Sequence, residues 1–275
     1  MVTTPSSYRI RRPAVAGYYY PQQPDLLADA VDGWVNPHVS TPAVAVIVPH
    51  GSYRHSGAIT GAVLSRVRVP RRCLIIGPSH IGRATPWSIM VTGAYRTPLG
   101  DVPIDQPLAE ALQDRCPFLQ SDEAAQRGEH AIEVQLPFLQ RLAPADLTVV
   151  PIIMALGCEQ ESLQLAEAVA QVVRMVEEPT LLIASSDLSH YESQACGRIH
   201  DQAIIERICA MDSRGLVRYV READVLMCGW GAVACVLDAS QRLGVSVTDG
   251  VAYGSSDQAG GDPHSVIGYA GFVVR

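Results

Sequence analysis

The sequence lacks any long hydrophobic run. No apolar stretch is long enough to span a bilayer, which argues against a membrane role. It also lacks a basic block. The net charge is −7 and the pI is near 5.6, so no cationic stripe is available to neutralise phosphates and nucleic-acid binding is disfavoured. The pairs Arg11-Arg12 and Arg71-Arg72 read as solvated surface. There is no Cys-x-x-Cys among Cys73, Cys116, Cys158, Cys196, Cys209, Cys228 and Cys235. An odd set without that motif, several of them inside apolar runs, implies small hydrophobes in a reducing compartment. Charges stand near the N-terminus where a signal peptide needs an apolar segment, so a cytoplasmic protein is expected. No Gly-x-Ser-x-Gly elbow occurs, and Gly229-Trp230-Gly231 lacks the rest of a dinucleotide fingerprint. Repeats, low-complexity segments and linkers are absent too. The 275 residues, 48% hydrophobic and 18% charged, are therefore expected to form one domain over 1–275, with a flexible tail at 1–7.

What is present centres on residues 43–50, Ala-Val-Ala-Val-Ile-Val-Pro-His. A short β-branched run of this kind reads as a strand buried on both faces. Its end carries His50. The design recurs at 73–77, which runs into Pro78-Ser79-His80, and at 181–184, which runs into Ser185-Ser186-Asp187-Leu188-Ser189-His190. Helical spacing follows Pro24, with Trp34 on the same face and a stop at Asn36-Pro37. It recurs after Ser56-Gly57, up to Pro70. Strand, helix and strand make a βαβ unit with parallel strands. Further strands are expected at 88–92, 147–156, 245–247, 251–253 and 265–274, and helices after Asp105, around Pro137, and over 161–178, 201–211, 216–220 and 232–243. Residues 95–103 and 254–263 read as loops. Alternating strands and helices define the class as α/β.

In such sheets ligands bind beyond the carboxyl ends of strands, so His50, His80 and His190 are the leading candidates. Two or three imidazoles with a carboxylate or thiolate suit iron, copper or zinc. Asp187 can orient an imidazole or ligate, or else simply cap a turn. His130 and Glu133, three residues apart, read as second-shell support, an acid/base pair or a surface pair. Cys228 precedes a glycine at a helix start, a setting that favours thiolate; the alternative is a small buried hydrophobe. Ser79, at a strand end, and Tyr53, in the Pro-His-Gly-Ser-Tyr loop, are candidates for second-shell or substrate contact. His55 and His264 lie in loops, while His38 and His200 look like surface residues.

These residues bring a family into view. The chain resembles the Memo family, named for a mediator of cell motility and widespread in bacteria and archaea. The matching stretches are Arg12-Pro13-Ala14-Val15-Ala16-Gly17-Tyr18-Tyr19, Val48-Pro49-His50, Gly77-Pro78-Ser79-His80 and Thr97-Pro98-Leu99-Gly100. They continue with Glu129-His130-Ala131-Ile132-Glu133, the segment from Ser185 to His190, and Cys228-Gly229. The family fold is similar to that of class III extradiol dioxygenases, non-haem iron enzymes that cleave catechol rings. The resemblance implies a sheet with helices on both faces and a metal pocket with His50, His80 and Cys228 as ligands. It also implies His190 beside the metal as an acid/base. Cys228 stands where those dioxygenases use a carboxylate. Two local departures are Gly51-Ser52, where the family usually has Ala-Gly, and His55, where an aromatic residue is common.

Two functions follow as expectations. One is a metal-dependent oxidoreductase using ferrous iron, Fe(2+), or copper, with His190 moving a proton and Asp187 or Glu133 orienting it. The other is a binding module that uses the same pocket, with or without metal, for a peptide, a small anion or a partner protein. A hydrolytic zinc site fits the ligand set less well. Bacterial relatives occur in sets that include a radical-SAM protein, so a partner of that kind is implied alongside a small-molecule or peptide ligand.

Overall fold

Apolar runs bounded by proline and glycine become buried strands, and the amphipathic stretches between them become helices. A computed structural model describes residues 9–36, 40–81, 85–155 and 159–275. The tail expected at 1–7, the helix stop at Pro37, His38, the strand end at Leu156 and Cys158 lie outside the described residues. From the amino end come β1 (Ile10–Arg11), α1 (Pro24–Asp32), β2 (Ala45–Val48), α2 (Tyr53–Leu64) and β3 (Arg72–Pro78). Next are β4 (Trp87–Ile89), β5 (Ala94–Thr97), β6 (Gly100–Pro103), α3 (Gln106–Arg115), β7 (Gln120–Ser121), α4 (Glu123–Arg127) and α5 (Leu136–Leu142). A 3₁₀ turn at Glu133–Gln135 leads into α5. The rest is β8 (Thr148–Met154), α6 (Glu159–Met175), β9 (Thr180–Ser185), β10 (His190–Glu192), α7 (Gln194–Cys209), α8 (Ser213–Glu222), α9 (Trp230–Arg242), β11 (Thr248–Ser255) and β12 (Val266–Val274).

The main sheet runs β10-β12-β2-β9-β3-β8-β4-β7, with β11 paired to β12. Its centre, β2, β9, β3 and β8, is parallel. The expected βαβ unit is present, but β2 and β3 are not neighbours: β9 inserts between them, with Val48 opposite Ser185 and Ile76 opposite Ala184. Three consecutive strands therefore end at one edge of the sheet. Helices cover both faces. On one face α2 packs on β2, β11 and β12, beside α1 and α5; on the other α9 packs on β2, β3 and β9, beneath α6 and α8. One contiguous core fills the space between, with Leu74, Ile75, Ile76, Leu182 and Val233 fully buried.

Several local expectations change. Residues 95–103 are not a loop. Thr97 faces Gly100 across a tight turn, so β5 and β6 form a hairpin that joins β1 in a separate three-stranded sheet. Proline and glycine marked the turn and hid the two strands. Residues 245–247 are not a strand; one strand, β11, begins only at Thr248. Trp34 lies beyond the end of α1, and its ring and backbone fill the space beside Gly57 and Gly61 on α2. The cap on α3 is as expected: Asp105 Oδ1 accepts from the Leu108 amide at 3.1 Å. Asp105 does more than cap. Its Oδ2 accepts from Arg72 Nε at 2.5 Å and from the Thr148 hydroxyl at 3.2 Å, so one buried carboxylate ties α3 to β3 and β8.

Replacing Asp105 removes a cap and strips a largely buried guanidinium of its nearer carboxylate, leaving it Glu178 at 3.8 Å. Asp105→Ala should lower unfolding free energy by about 3 kcal/mol in urea titration, and Asp105→Asn, which keeps the cap acceptor, by less. Equal losses in the two variants would contradict this division of roles.

Candidate metal centre

His50 lies two residues beyond β2 and is buried. Its backbone amide and that of Gly51 donate to Asp187 Oδ1 at 2.8 and 3.2 Å, which fixes the turn after β2 to the segment after β9. Gly51 explains itself: a Cβ there would lie 2.7 Å from the Tyr269 ring, so any larger residue requires that ring to move. His80 lies two residues beyond β3, and a third of its side chain reaches solvent. Cys228 is delivered from the far side, immediately before Gly229, the N-cap of α9. A Cβ at Gly229 would lie 2.5 Å from the carbonyl of Ser185, so glycine lets α9 start against the end of β9. The result brings Cys228 Sγ to 3.1 Å from His50 Nε2. One ligand atom each from His50, His80 and Cys228 lies within 4.8 Å of the others, and Asp187, His190 and Cys228 meet the same condition.

The outer hydrogen bonds decide which ring nitrogen faces inward. Ser185 donates its one proton to the carbonyl of Ala131 at 2.6 Å and accepts from Gln135 Nε2 at 3.0 Å. Its contact with His50 Nδ1, at 3.1 Å, must therefore be donated by the imidazole, which leaves Nε2 as a lone pair pointing at Cys228. His80 Nδ1 donates to Glu129 Oε1 at 2.9 Å. His190 Nδ1 meets two carbonyls, Leu188 at 3.0 Å and Leu226 at 3.1 Å, so it too must carry hydrogen. All three imidazoles offer Nε2 to the cleft, held as metal-ligating imidazoles usually are. Asp187 Oδ2 is 3.8 Å from His50 Nε2 and 3.9 Å from His190 Nε2.

Burial lowers the pKa of His50, against the pull of Asp187. Burial would lower His80 as well, but the hydrogen bond and charge of Glu129 override it and raise the pKa. Glu129 has no exposure, which alone would raise it; His80 and His130 outweigh that and hold it at about 2. His130 is pushed down to about 4, by burial and then by His50. Burial, then Asp187, drives the Cys228 thiol well above its ordinary value. The helix start does not make a thiolate there, because desolvation outweighs it.

Glu129 is the residue that sequence reasoning missed. It accepts from the amides of His80, His130 and Ala131 at 2.5, 2.8 and 2.9 Å as well as from the His80 ring. Glutamates flank His130 on both sides, and helical spacing favoured Glu133. The chain instead makes a turn and a 3₁₀ segment, which sends the two glutamates opposite ways. Glu133 accepts from Arg11, from the amides of Ala14 and Val15 at 2.8 and 3.1 Å, and from the Tyr20 hydroxyl at 2.5 Å. It does not orient His190, and Arg11 is a buried partner rather than solvated surface. Tyr53 is also directed away from the cleft: its hydroxyl donates to the Val134 carbonyl at 2.7 Å and its ring packs with Tyr20, Trp34 and Phe138. Ser79 Oγ is enclosed without a hydrogen-bond partner, outside the cleft lining.

The cleft itself has a volume of about 470 Å³. His130, Tyr19, Tyr191, Tyr269 and His55 line it with His50, His80 and His190, and among the described residues no arginine does. Tyr19 packs on His130 with centroids 4.7 Å apart, and Tyr269 stacks on His55 at 6.1 Å. His264 sits apart on an exposed loop. His200 is not simply surface, since its Nδ1 meets the Tyr219 hydroxyl at 2.9 Å.

A family profile described as Memo-like protein matches residues 11–273. A MEMO1 family protein of Methanopyrus kandleri is 36% identical over 280 residues, covering 96% of this chain and 99% of the relative. One from Methanothermobacter thermautotrophicus is 36% identical over 275 residues, covering 95% and 99%. One from Thermotoga neapolitana is 33% identical over 282 residues, covering 96% and 99%. Among solved structures, an uncharacterised protein of Escherichia coli K12 shares the fold with a TM-score of 0.56 at 12% identity, covering 84% of this chain and 99% of that one.

Because Glu133 neutralises a buried guanidinium, Glu133→Gln should cost about 3–5 kcal/mol of stability by denaturant unfolding. A loss below about 1 kcal/mol would mean that Arg11 finds another partner.

Proposed function

The chain belongs to the Memo-like family, and on that footing we propose that His50, His80 and Cys228 hold one transition-metal ion and that the cleft above them performs redox chemistry on a small molecule or a peptide side chain. The observation that carries this reading is the convergence of two Nε2 lone pairs and a buried thiol, each histidine pinned through its other nitrogen. A binding pocket has no need of a thiol aimed at an imidazole 3.1 Å away. Two imidazoles and a thiolate suit ferrous iron or copper better than a hard oxygen-seeking cation. When bound, such an ion supplies electron transfer and a Lewis-acidic open position.

The remaining groups handle protons. His190 Nε2 is an acceptor, because Nδ1 is committed to two backbone carbonyls, so it takes a proton from the substrate and later returns it. Asp187, held through Oδ1 by two amides, turns Oδ2 to within 3.9 Å of His190 Nε2 and so faces the nitrogen that handles the proton. Tyr19 and Tyr269 line the cleft and are kept as neutral hydroxyls, by burial first and Asp187 second, which leaves each a proton to offer a bound substrate. Cys228 is a neutral thiol without an ion and releases its proton when one binds.

The test is metal quantification on protein purified without oxygen. The wild type should carry close to one iron or copper per chain, and Cys228→Ala and His80→Ala should lose it. Glu129→Gln should weaken metal affinity by about 10–100-fold. A wild type that takes up no metal even on reconstitution would overturn the proposal and leave a binding module for a peptide, anion or partner. Full occupancy in Cys228→Ala would reject the thiol as a ligand.

A further inference from the structure

A second cavity lies away from the cleft, between β1 and α4, with a volume of about 200 Å³. Four arginines line it, Arg9, Arg11, Arg12 and Arg127, against one glutamate, Glu123. In a chain of net charge −7 this is a local reversal of sign. The arginines are not equivalent. Arg9 is already paired with Glu123. Arg11 is buried and committed to Glu133 and to the carbonyls of Arg12, Gln126 and Glu129, and its guanidinium lies over the Tyr95 ring at 4.8 Å. Arg12 and Arg127 are exposed at the mouth, and among the described residues neither guanidinium has a carboxylate partner. Ile10 and Met90 supply an apolar wall.

Cations at an exposed surface usually extend into water, where an ion pair would add little. Here two guanidiniums without a carboxylate partner among the described residues border a concavity whose other two arginines, Arg9 and Arg11, are already neutralised by Glu123 and Glu133. Water is partly excluded from such a recess, so field lines focus there and an anion gains more than at an open surface. Guanidinium groups match the geometry of carboxylate and phosphate oxygens. We propose that this cavity is a binding site for a small oxyanion, a phosphate or carboxylate, gripped by Arg12 and Arg127 with its apolar stem against Ile10 and Met90. The site is independent of the metal cleft. Arg11 is one link between the two, since its hydrogen bonds reach Glu133 and the backbone of Glu129.

Calorimetric titration of the full chain with inorganic phosphate tests this, with acetate and succinate as the carboxylate arm. Saturable binding is expected for one class, weakened about tenfold or more in Arg12→Ala and in Arg127→Ala, and weakened as salt is raised. Both variants should unfold at the wild-type temperature, since among the described residues neither side chain has a carboxylate partner to lose. His80→Ala should bind the anion as the wild type does, which separates this site from the cleft whatever becomes of the metal. Phosphate binding with these properties identifies phosphate as the ligand class, and carboxylate binding identifies the other. Absence of saturable binding by all three probes, binding unchanged by both arginine substitutions, or loss of binding in His80→Ala would overturn the proposal.

Discussion

Two carboxylates without exposure sit on one turn of chain, Glu129 and Glu133, and an ionised carboxylate taken out of water must find compensating donors nearby. The architecture around the cleft is largely the answer to that demand. Glu129 is satisfied by the end of β3 and by the amides of its own turn, so the loop carrying His80 is clamped to the loop carrying His130. Glu133 is satisfied by Arg11, Tyr20 and the amides of Ala14 and Val15, so the amino-terminal segment is drawn across the same turn. One turn of backbone thus faces the chemistry on one side and the fold's closure on the other.

The same economy appears in the histidines. A free imidazole rotates and exchanges tautomers. Here Ser185, Glu129 and the carbonyls of Leu188 and Leu226 each remove that freedom from one ring. None of these partners is itself loose, since Ser185 is held by Ala131 and Gln135, and Glu129 by backbone amides. Orientation is therefore inherited from the backbone through one intermediate, which keeps several side chains convergent in a cleft open to solvent.

The strands and their histidine-bearing ends were legible in the sequence because buried parallel strands are nearly unbroken apolar runs and proline marks where they stop. Cys228 stood out for its place before a glycine at a helix start, though burial reverses the effect that position suggested on its acidity. Less legible was anything set by distant partners. The β5–β6 hairpin was concealed because Pro98 and Gly100 signal a turn without revealing that the flanks pair. Glu129 was passed over for Glu133 because a helical period was applied to a turn and a 3₁₀ segment. Tyr53 and Arg11 were misjudged for one reason: an aromatic ring or a guanidinium in sequence carries no sign of which carbonyl or carboxylate will take its hydrogen.

The insertion of β9 between β2 and β3 also bears on how the protein comes into being. Two strands that follow one another closely in the chain share no ladder until a third, made about a hundred residues later, separates and joins them. The amino-terminal part emerging from a ribosome thus presents two apolar strands without their mutual partner, a state in which parallel sheets form slowly and are open to wrong pairing. His50 and Cys228 are 178 positions apart, so the cleft comes together only when nearly the whole chain has been made. A chain stalled before Cys228 consequently lacks the complete set of converging side chains.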